Sequence, residues 1–279
     1  MIHIKDIMPL GSSGTVQLAS ILNDYYDLVT PAKGASPLKE IGDAITARIN
    51  TRTERKKQRE FLEWVAKWYR DLLVGDPSRL FALAEEIEAN GWSTLLRSGH
   101  KLTSFGEEVE TIFGYERSRF KPVRKWLAEQ LNIKSCPYCN AQYTLVVNDS
   151  DKKTVVKFQF DHFFPKKRYP YLSISLYNMI PACASCNLAK SDAATALDTH
   201  YHPYHSALTA SARFTVKWNK GSVLSSYTEM RKLKSGDIDV AFVSKYADKR
   251  ALIEVHDKMF DITGVYKRHT DLAQELLEK

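Results

Sequence analysis

The chain has 279 residues, a hydrophobic fraction of 44% and a formal net charge of +7 at pH 7. Its apolar fraction is ordinary for a globular protein that buries a core, and its length allows one large domain or two smaller ones. The N-terminus lacks the pattern of a secretion signal and no apolar segment is long enough to span a bilayer, so we expect neither an exported nor a membrane-embedded chain.

We therefore expect a soluble, cytoplasmic protein without a membrane partner. The positive charge favours a polyanionic partner such as nucleic acid, although basic proteins without one are common. A reducing cytoplasm rarely preserves disulfides, so the cysteines of this chain need another explanation.

Residues 1–130 predict a mainly helical region. Apolar side chains recur at helical spacing from Thr15 onward, and Ser36 followed by Pro37 has the pattern of an N-cap and a first helical position. One long helix is expected from Thr53 to Val74, with an aromatic and aliphatic stripe on one face. We interpret this stripe as core rather than as a platform for stacked bases.

Two groups of basic residues occur in this part of the chain. We interpret the first group as a solvated helix face, with contact to backbone phosphates as the alternative. The second group leads directly into a cysteine-rich stretch, which makes nucleic-acid contact as reasonable there as simple solvation. The first group is Arg48, Arg52, Arg55, Lys56, Lys57 and Arg59, and the second is Arg117, Arg119, Lys121, Arg124 and Lys125.

All four cysteines of the chain fall in two Cys-x-x-Cys pairs, Cys136 with Cys139 and Cys183 with Cys186. A redox pair is the alternative for either pair alone. Two pairs without a further cysteine favour a single tetrahedral zinc ion held by four thiolates. Such a site is closed, so the zinc would be structural, and its binding would contribute folding free energy to a small unit.

Strand-like patterns lie between the two cysteine pairs. Thr144–Val147 and residues 156–162 flank the turn-rich stretch Asn148–Asp151, and we expect them to pair as a hairpin. Because neighbouring side chains of a strand alternate, Asp161 and His162 should lie on opposite faces near the end of the second strand.

The second cysteine pair is preceded by a short extended piece at Asn178 and opens a helix. Asn187 and Lys190 lie three residues apart on that helix and so share a face. In chain order the stretch reads Cys-x-x-Cys, Asp-His, Asn, Cys-x-x-Cys-Asn-x-x-Lys. This order, over residues 135–191, resembles the HNH endonucleases, whose ββα-metal fold is braced by a zinc-bound cysteine quartet.

The resemblance implies a role for each matching residue. His162 matches the general base that activates water, and Asp161 matches the neighbouring acidic ligand of the catalytic metal. Asn178 matches the asparagine that pins a loop and so orients the histidine. Asn187 matches the second protein ligand of that metal, as an asparagine in place of the last histidine of the family name. Lys190 matches a position often held by lysine, for which phosphate contact is one role.

These residue types also suit phosphodiester hydrolysis when they are considered alone. Carboxylate and amide oxygens are hard ligands for Mg²⁺ or Mn²⁺, and a neutral histidine can accept a proton. The basic loop Lys166-Lys167-Arg168 can hold a backbone phosphate. The predicted reaction is water attack on DNA, and the resemblance implies 5′-phosphate and 3′-hydroxyl ends. The alternative is a zinc-stabilised module that binds DNA or a protein without cutting, with His162 a satisfied strand-end histidine.

Three histidines follow the second cysteine pair: His200, His202 and His205. They could bind a metal. The proline and the alternating aromatic residues of this stretch favour instead an extended strand laid against the nuclease core, from which one histidine could reach DNA.

The last part of the chain predicts a mixed α+β extension. Arg213–Trp218 alternates like a strand, and Ser222–Leu224 is a candidate return strand. Helical spacing is expected again from Asp237, and Tyr266–Lys279 is expected to be a final helix.

We therefore expect an α+β protein in three parts. A mainly helical region spans 1–130, an HNH, treble-clef-like ββα-metal core with the zinc site spans 131–210, and an α+β extension spans 211–279. The residue pattern of the motif also resembles that of the HNH proteins of Septu-type anti-phage systems, which act with a partner ATPase. That resemblance implies an antiviral nuclease whose helical region serves regulation, or contacts with the partner or with DNA.

Overall fold

The computed structural model describes residues 18–31, 34, 36–48, 53–148, 153–205, 211–218 and 238–270. Helices form most of the chain before residue 132, which also holds one two-stranded antiparallel sheet, and three more such sheets follow in the described residues after it, so the expected α+β class is confirmed. None of the helices within the described ranges has the length and apolar character needed to cross a bilayer.

The first part of the chain is a series of short helices with side-chain caps. Ser36 accepts a hydrogen bond from the backbone N–H of Lys39 at 3.3 Å, as the sequence predicted, and Asp76 accepts one from Arg79 at 2.8 Å. Each cap satisfies a donor that the first turn of a helix would leave unbonded. The elements are α1 (Leu18–Val29), α2 (Pro37–Thr46), α3 (Thr53–Lys67), α4 (Tyr69–Val74), α5 (Pro77–Ala89), α6 (Ser93–Leu96), β1 (Arg97–Ser98), β2 (Lys101–Leu102), α7 (Ser104–Phe113) and α8 (Lys121–Leu131).

The single helix expected over Thr53–Val74 is interrupted at Trp68, which is a correction. Trp68 has φ −101° and ψ 13°, outside the helical range, and it separates α3 from α4. The backbone bonds across it are kept, since its N–H reaches Trp64 at 3.0 Å and its carbonyl accepts from Leu72 at 2.9 Å. Neither proline nor glycine occurs at this break, so the sequence carries no signal for it. The stripe is buried as interpreted, with Phe61 fully enclosed.

The hairpin expected between the cysteine pairs forms in part, since Val146–Asn148 pairs antiparallel with Thr154–Val156. Its second strand ends there, and Gln159–His162 belongs to a separate strand pair. The chain turns away after β4 at residues 157–158, so β3 pairs with β4 while β5 pairs with β6. In the second pair Asp161 lies opposite Ile180, and His162 lies opposite Met179. Residues 149–152 of the expected turn lie outside the described ranges. The elements are β3 (Val146–Asn148), β4 (Thr154–Val156), β5 (Gln159–His162), β6 (Met179–Ala182) and α9 (Ala184–Lys190).

The helical region packs directly against the segment that joins β5 to β6. The Tyr25 hydroxyl donates to the carbonyl of Ile174 at 2.5 Å, and the ring of Phe61 lies edge-on to that of Tyr171 with centroids 6.2 Å apart. Buried side chains from α1 to α11 (Ile262–Lys267) belong to one hydrophobic cluster. The division of the chain at residues 130 and 210 stays a prediction.

The C-terminal part begins with a two-stranded antiparallel ribbon. The strand expected at Arg213–Trp218 is confirmed, but its partner is the segment for which we expected helical spacing from Asp237. Val240 and Phe242 are both buried there, which is the two-residue period of a strand. Residues 222–224 and 271–279 lie outside the described ranges. The elements are β7 (Ala212–Trp218), β8 (Ile238–Ser244) and α10 (Arg250–Phe260), followed by α11.

Helix α10 covers the first cysteine pair from outside. His256 Nε2 lies 2.8 Å from the carbonyl oxygen of Tyr138, and the ring of Phe260 stacks on that of Tyr138 at 4.5 Å. From α11, the Tyr266 hydroxyl donates to the carbonyl of Cys139 at 3.1 Å. The C-terminal part therefore holds the backbone of this turn in place.

Gly106 is required where α7 crosses the end of α6. A Cβ at Gly106 would lie 2.0 Å from the carbonyl oxygen of Leu96, whereas one at the exposed Gly42 of α2 would meet nothing within 4 Å. We expect Gly106→Ala to destabilise the protein by about 1–3 kcal/mol through overpacking. Gly42→Ala should stabilise it by about 0.5–1 kcal/mol, because it restricts the unfolded chain. Urea unfolding measures both, and equal effects would contradict the packing described.

His256 should make the fold sensitive to acid. Its burial lowers its pKa from 6.5 to about 4, so below pH 6.5 the unfolded chain takes up a proton that the folded protein refuses. Stability is then lost as the pH falls toward 4, by about 2 kcal/mol between pH 7 and pH 5 for a shift of this size. We expect His256→Gln, which can still donate to Tyr138, to flatten this dependence in urea unfolding. The exposed His269→Gln is the control, and an unchanged slope in His256→Gln would refute the assignment.

Candidate functional site

The two cysteine pairs are held by different local structures. In the first, the N–H of Asn140 bonds the carbonyl of Cys136 at 2.7 Å, and Asn140 takes a left-handed conformation with φ 53° that closes the turn. In the second, Cys183 is the N-cap of α9 and its sulfur accepts from the N–H of Cys186 at 3.5 Å. Both turns direct their sulfurs to the same buried point.

The four sulfur atoms all lie within 4.8 Å of one another, and those of Cys139 and Cys183 are 3.9 Å apart. Sulfurs bonded to a tetrahedral zinc at about 2.3 Å lie about 3.8 Å from one another, whereas a disulfide bond is about 2.05 Å long. The four thiols are free and buried. Their positions and chemistry fit the structural zinc predicted from the sequence.

Proximity also changes the acidity of these thiols. Hydrogen bonds with neighbouring thiols, that with Cys136 first, lower the pKa of Cys139 well below its usual range and that of Cys183 to about 7. The same contacts raise the pKa values of Cys136 and Cys186. Part of the cluster is thus prepared to lose protons, which metal binding requires.

Asp161 lies beneath a surface cleft with its carboxylate held by two donors. The hydroxyl of Tyr138 donates to Oδ2 at 2.7 Å, and Lys190 Nζ lies 3.3 Å from the carboxylate and donates to the carbonyl of His162 at 2.5 Å. Burial raises the pKa of Asp161 and lowers that of Lys190, while their attraction opposes both shifts. Lys190 is 1% exposed and its ammonium group is directed inward to these two partners, so the phosphate contact suggested for it stays a prediction.

His162 occupies the opposite face of the strand, as expected. Its Nε2 lies 2.7 Å from the carbonyl oxygen of Ser173. A carbonyl can only accept, so Nε2 carries the hydrogen and Nδ1 holds the lone pair of the neutral ring. Burial lowers the pKa of His162 to about 4, and the ring of Tyr115 packs edge-on against it at 4.4 Å. The imidazole is therefore neutral at pH 7 and able to accept a proton.

Asn178 clamps the segment behind His162. Its side-chain oxygen accepts from the N–H of Phe164 at 2.6 Å, and its Nδ2 donates to the carbonyl of Leu172 at 2.8 Å. Leu172 precedes Ser173, whose carbonyl fixes the imidazole. The loop-holding contacts that the family resemblance implied are thus present.

A cleft of about 810 Å³ brings together Asp161, His162 and Asn187. The amide nitrogen of Asn187 donates to Gln159 Oε1 at 2.6 Å, so its side-chain oxygen is the atom of this amide that could serve as a ligand. Asn178 and Lys190 do not line the cleft and act from behind it. A carboxylate and an amide oxygen beside each other are ligands that suit Mg²⁺ or Mn²⁺ with water in the remaining positions.

One wall of the cleft is cationic. Lys121, Arg124, Lys125 and Lys166 line it. Arg124 lies 4.5 Å from the ring of Tyr115, and Lys166 bonds Glu116 at 2.5 Å. These basic side chains, which share the cleft with the acidic Glu116 and Asp192, give it positive charge of the kind that can hold phosphates.

Not every basic residue that we considered for DNA contact reaches this cleft. Arg117 and Arg119 both bind Glu40, which turns them toward α2. From the loop expected to hold phosphate, Lys167 and Arg168 lie outside the cleft lining. In the second basic group and in the loop, therefore, some of the basic residues line the cleft and others do not.

The first basic group fits a solvated helix face. Arg55, Lys56 and Lys57 are exposed on α3, and Arg48 pairs with Glu108 at 2.5 Å. Residue 52 lies outside the described ranges.

The chain shows only distant similarity to known proteins. No family model matches it. No solved structure matches it either. Over 99 residues it is 28% identical to the Septu protein PtuB of Bacillus thuringiensis. The aligned part is 35% of this chain and 33% of that relative, so the chain spans about a third of the length of the curated relative it matches.

The three histidines after α9 lie apart from the cleft. The strand expected for this stretch is wrong, since the chain is irregular there and stays against the core through buried aromatic side chains. His202 packs on the ring of Phe163 at 4.2 Å, whereas His205 Nδ1 lies 3.4 Å from the hydroxyl of Ser78. Among the described residues, the four cysteines are the one group of three or more potential ligands from His, Cys, Asp and Glu.

Sequence reasoning missed several residues that shape the site. Gln159 could have been found, since it lies two residues before Asp161 and so on the same face of β5. Tyr115 and Tyr138 could not, because each reaches the site only through tertiary packing from another element. Glu116 follows Tyr115 in the chain, and its place at the cleft could likewise not be predicted from the sequence.

The cysteine cluster predicts a zinc-dependent fold. We expect the purified protein to carry one zinc ion per chain, and Cys183→Ser to lose that zinc together with much of its thermal stability. Ser185→Ala is the matched control, because Ser185 lies between the two cysteines of α9 and is exposed. Elemental analysis and thermal unfolding measure both effects. Full zinc content in Cys183→Ser would contradict the site.

Proposed function

We propose that the protein is a metal-dependent endonuclease of the HNH type, which hydrolyses DNA phosphodiester bonds in anti-phage defence. The observation that carries this proposal is the neutral, fixed imidazole of His162 in a cleft that also presents Asp161 and Asn187. The order of β5, β6 and α9 beside a four-cysteine cluster supports a ββα-metal core.

The reaction follows from the positions of these groups. His162 Nδ1 takes a proton from the attacking water, while Asn178 and the Ser173 carbonyl keep the ring oriented. The water oxygen bonds to phosphorus and the bond to the 3′ oxygen breaks, which leaves a 5′-phosphate and a 3′-hydroxyl. A Mg²⁺ or Mn²⁺ ion held by Asp161 and Asn187 would supply charge for the phosphoryl oxygens and the departing alkoxide.

The surrounding charges serve the same reaction. Lys121, Arg124 and Lys166 lie where they can hold the nonbridging oxygens of the scissile phosphate and of its neighbours. Lys190 balances the buried charge of Asp161 from below. Removal of water from around a carboxylate is costly, so this internal cation lets Asp161 stay ionised next to a second, bound cation.

The defence role rests on the distant similarity to the Septu protein PtuB, together with the style of the Asp-His and Cys-x-x-Cys-Asn motifs. The resemblance of the motif to the HNH proteins of Septu-type systems, which act with a partner ATPase, adds the proposal that such an ATPase regulates the nuclease. The helical region before residue 131 packs on the loop that orients His162, and a partner bound there could act on the reaction centre through that loop.

Plasmid cleavage tests this function. We expect cleavage that needs Mg²⁺ or Mn²⁺, stops with chelator and falls by about 10² or more in His162→Ala, because general base catalysis contributes that much. His269→Ala, an exposed histidine in the C-terminal part, is the matched control. All reactions are compared at equal zinc content, with and without a partner ATPase of a Septu-type system.

Three results are informative. Cutting only when the ATPase is present supports a partner-regulated nuclease. Cutting by His162→Ala at the wild-type rate would show that this histidine is not the base. DNA binding without cleavage in either condition would refute the nuclease and favour a zinc-stabilised binding module.

A further inference from the structure

Tyr138 belongs to the first cysteine turn, but its hydroxyl serves a different site. The residue is 1% exposed and lies between Cys136 and Cys139 in sequence. Its hydroxyl donates to Oδ2 of Asp161 at 2.7 Å, across 23 residues of sequence. Tyr138 therefore links the sulfur cluster to the carboxylate beneath the cleft.

The position of this hydroxyl is set by the rest of the tyrosine. Its ring stacks on Phe260 with centroids 4.5 Å apart and an angle of 17° between the planes. Its carbonyl is bonded by His256 Nε2 at 2.8 Å, and the turn around it is closed by the bond from the N–H of Asn140 to the carbonyl of Cys136 at 2.7 Å. A side chain fixed at the ring and at the backbone presents its hydroxyl in one direction.

The Asp161 carboxylate thus receives two donors of different kinds. Lys190 supplies charge at 3.3 Å, a separation too long for a strong directional hydrogen bond. Tyr138 supplies a neutral O–H at 2.7 Å, which is the length of a good charge-assisted bond. The tyrosine, rather than the lysine, is the donor whose geometry can fix the rotation of the carboxylate.

We propose that Tyr138 is a positioning residue, whose hydroxyl orients Asp161 to bind the divalent cation and couples the cysteine turn and α10 to the reaction centre. This inference rests on the proposed function, in which Asp161 is a cation ligand. Residues that orient a metal ligand through a hydrogen bond typically change metal affinity by about 10–100-fold when they are removed.

Mn²⁺ binding tests the inference without relying on cleavage. We compare Mn²⁺ affinity by calorimetry in the full-length zinc-loaded protein, in Tyr138→Phe and in Tyr204→Phe. Phenylalanine keeps the ring that stacks on Phe260 and removes only the hydroxyl. Tyr204 is a matched control, because it is equally buried and its hydroxyl contacts the Met179 carbonyl, at 3.4 Å, instead of a carboxylate.

We expect Tyr138→Phe to weaken Mn²⁺ binding about tenfold with unchanged zinc content, and Tyr204→Phe to bind like the wild type. In cleavage, the Mn²⁺ concentration for half-maximal rate should rise in Tyr138→Phe while DNA affinity stays the same. In an Asp161→Asn background, Tyr138→Phe should have no further effect on Mn²⁺ affinity, because the group that it orients is already gone.

Several outcomes would overturn this role. Mn²⁺ affinity within twofold of the wild type in Tyr138→Phe, or an equal loss in Tyr204→Phe, would remove the basis for it. Loss of zinc from Tyr138→Phe would show that the hydroxyl serves the cysteine turn instead. If Asp161→Asn itself binds Mn²⁺ as the wild type does, the proposed metal site fails and the positioning role fails with it.

Discussion

Convergence of the four thiols is the constraint on which the rest of the site depends. Cys139 and Cys183 are 44 residues apart in the chain, and their sulfurs are 3.9 Å apart. Everything between them becomes a closed loop whose ends are a tight turn and the start of α9. This closure sets β5 beside α9, so that one element supplies Asp161 and His162 and the other supplies Asn187. A metal bound by the thiols would hold these two elements in register.

Behind the cleft, buried polar groups bond one another instead of water. Asn178 holds the loop, the loop presents the Ser173 carbonyl, and that carbonyl orients His162. A second set joins Tyr138 and Lys190 to Asp161. Burial of a charge is costly unless the charge is paired and hydrogen-bonded, and here both conditions are met. The groups of the cleft are therefore already arranged by the fold, which in the proposed nuclease would lower the cost of reorganisation during catalysis.

Local patterns in the sequence were enough to identify the candidate site residues that are recognised by their order and spacing. The cysteine pairs, Asp161 with His162 and Asn187 on its helix could all be identified in this way. The strand partner of β5 could not, because alternation through residues 156–162 shows a strand without showing where it breaks or what it pairs with. The burial of Lys190 was hidden for the same reason, since a lysine at a helix end is usually solvated and only the fold places a carboxylate above it. We expected a helix at β8 because Val240 and Val243 are three residues apart, a spacing that fits the helical period. The same short apolar segment is also compatible with a strand.

The packing of α10 on the first cysteine turn has a consequence for how the molecule is made. His256 and Tyr138 are separated by 118 residues, so the contact that steadies the turn can form only after α10 has left the ribosome. A nascent chain that has emerged as far as α9 already contains all four cysteines and all the groups of the cleft, but not the cover over Tyr138. The first cysteine turn therefore gains this cover only after α10 has been synthesised.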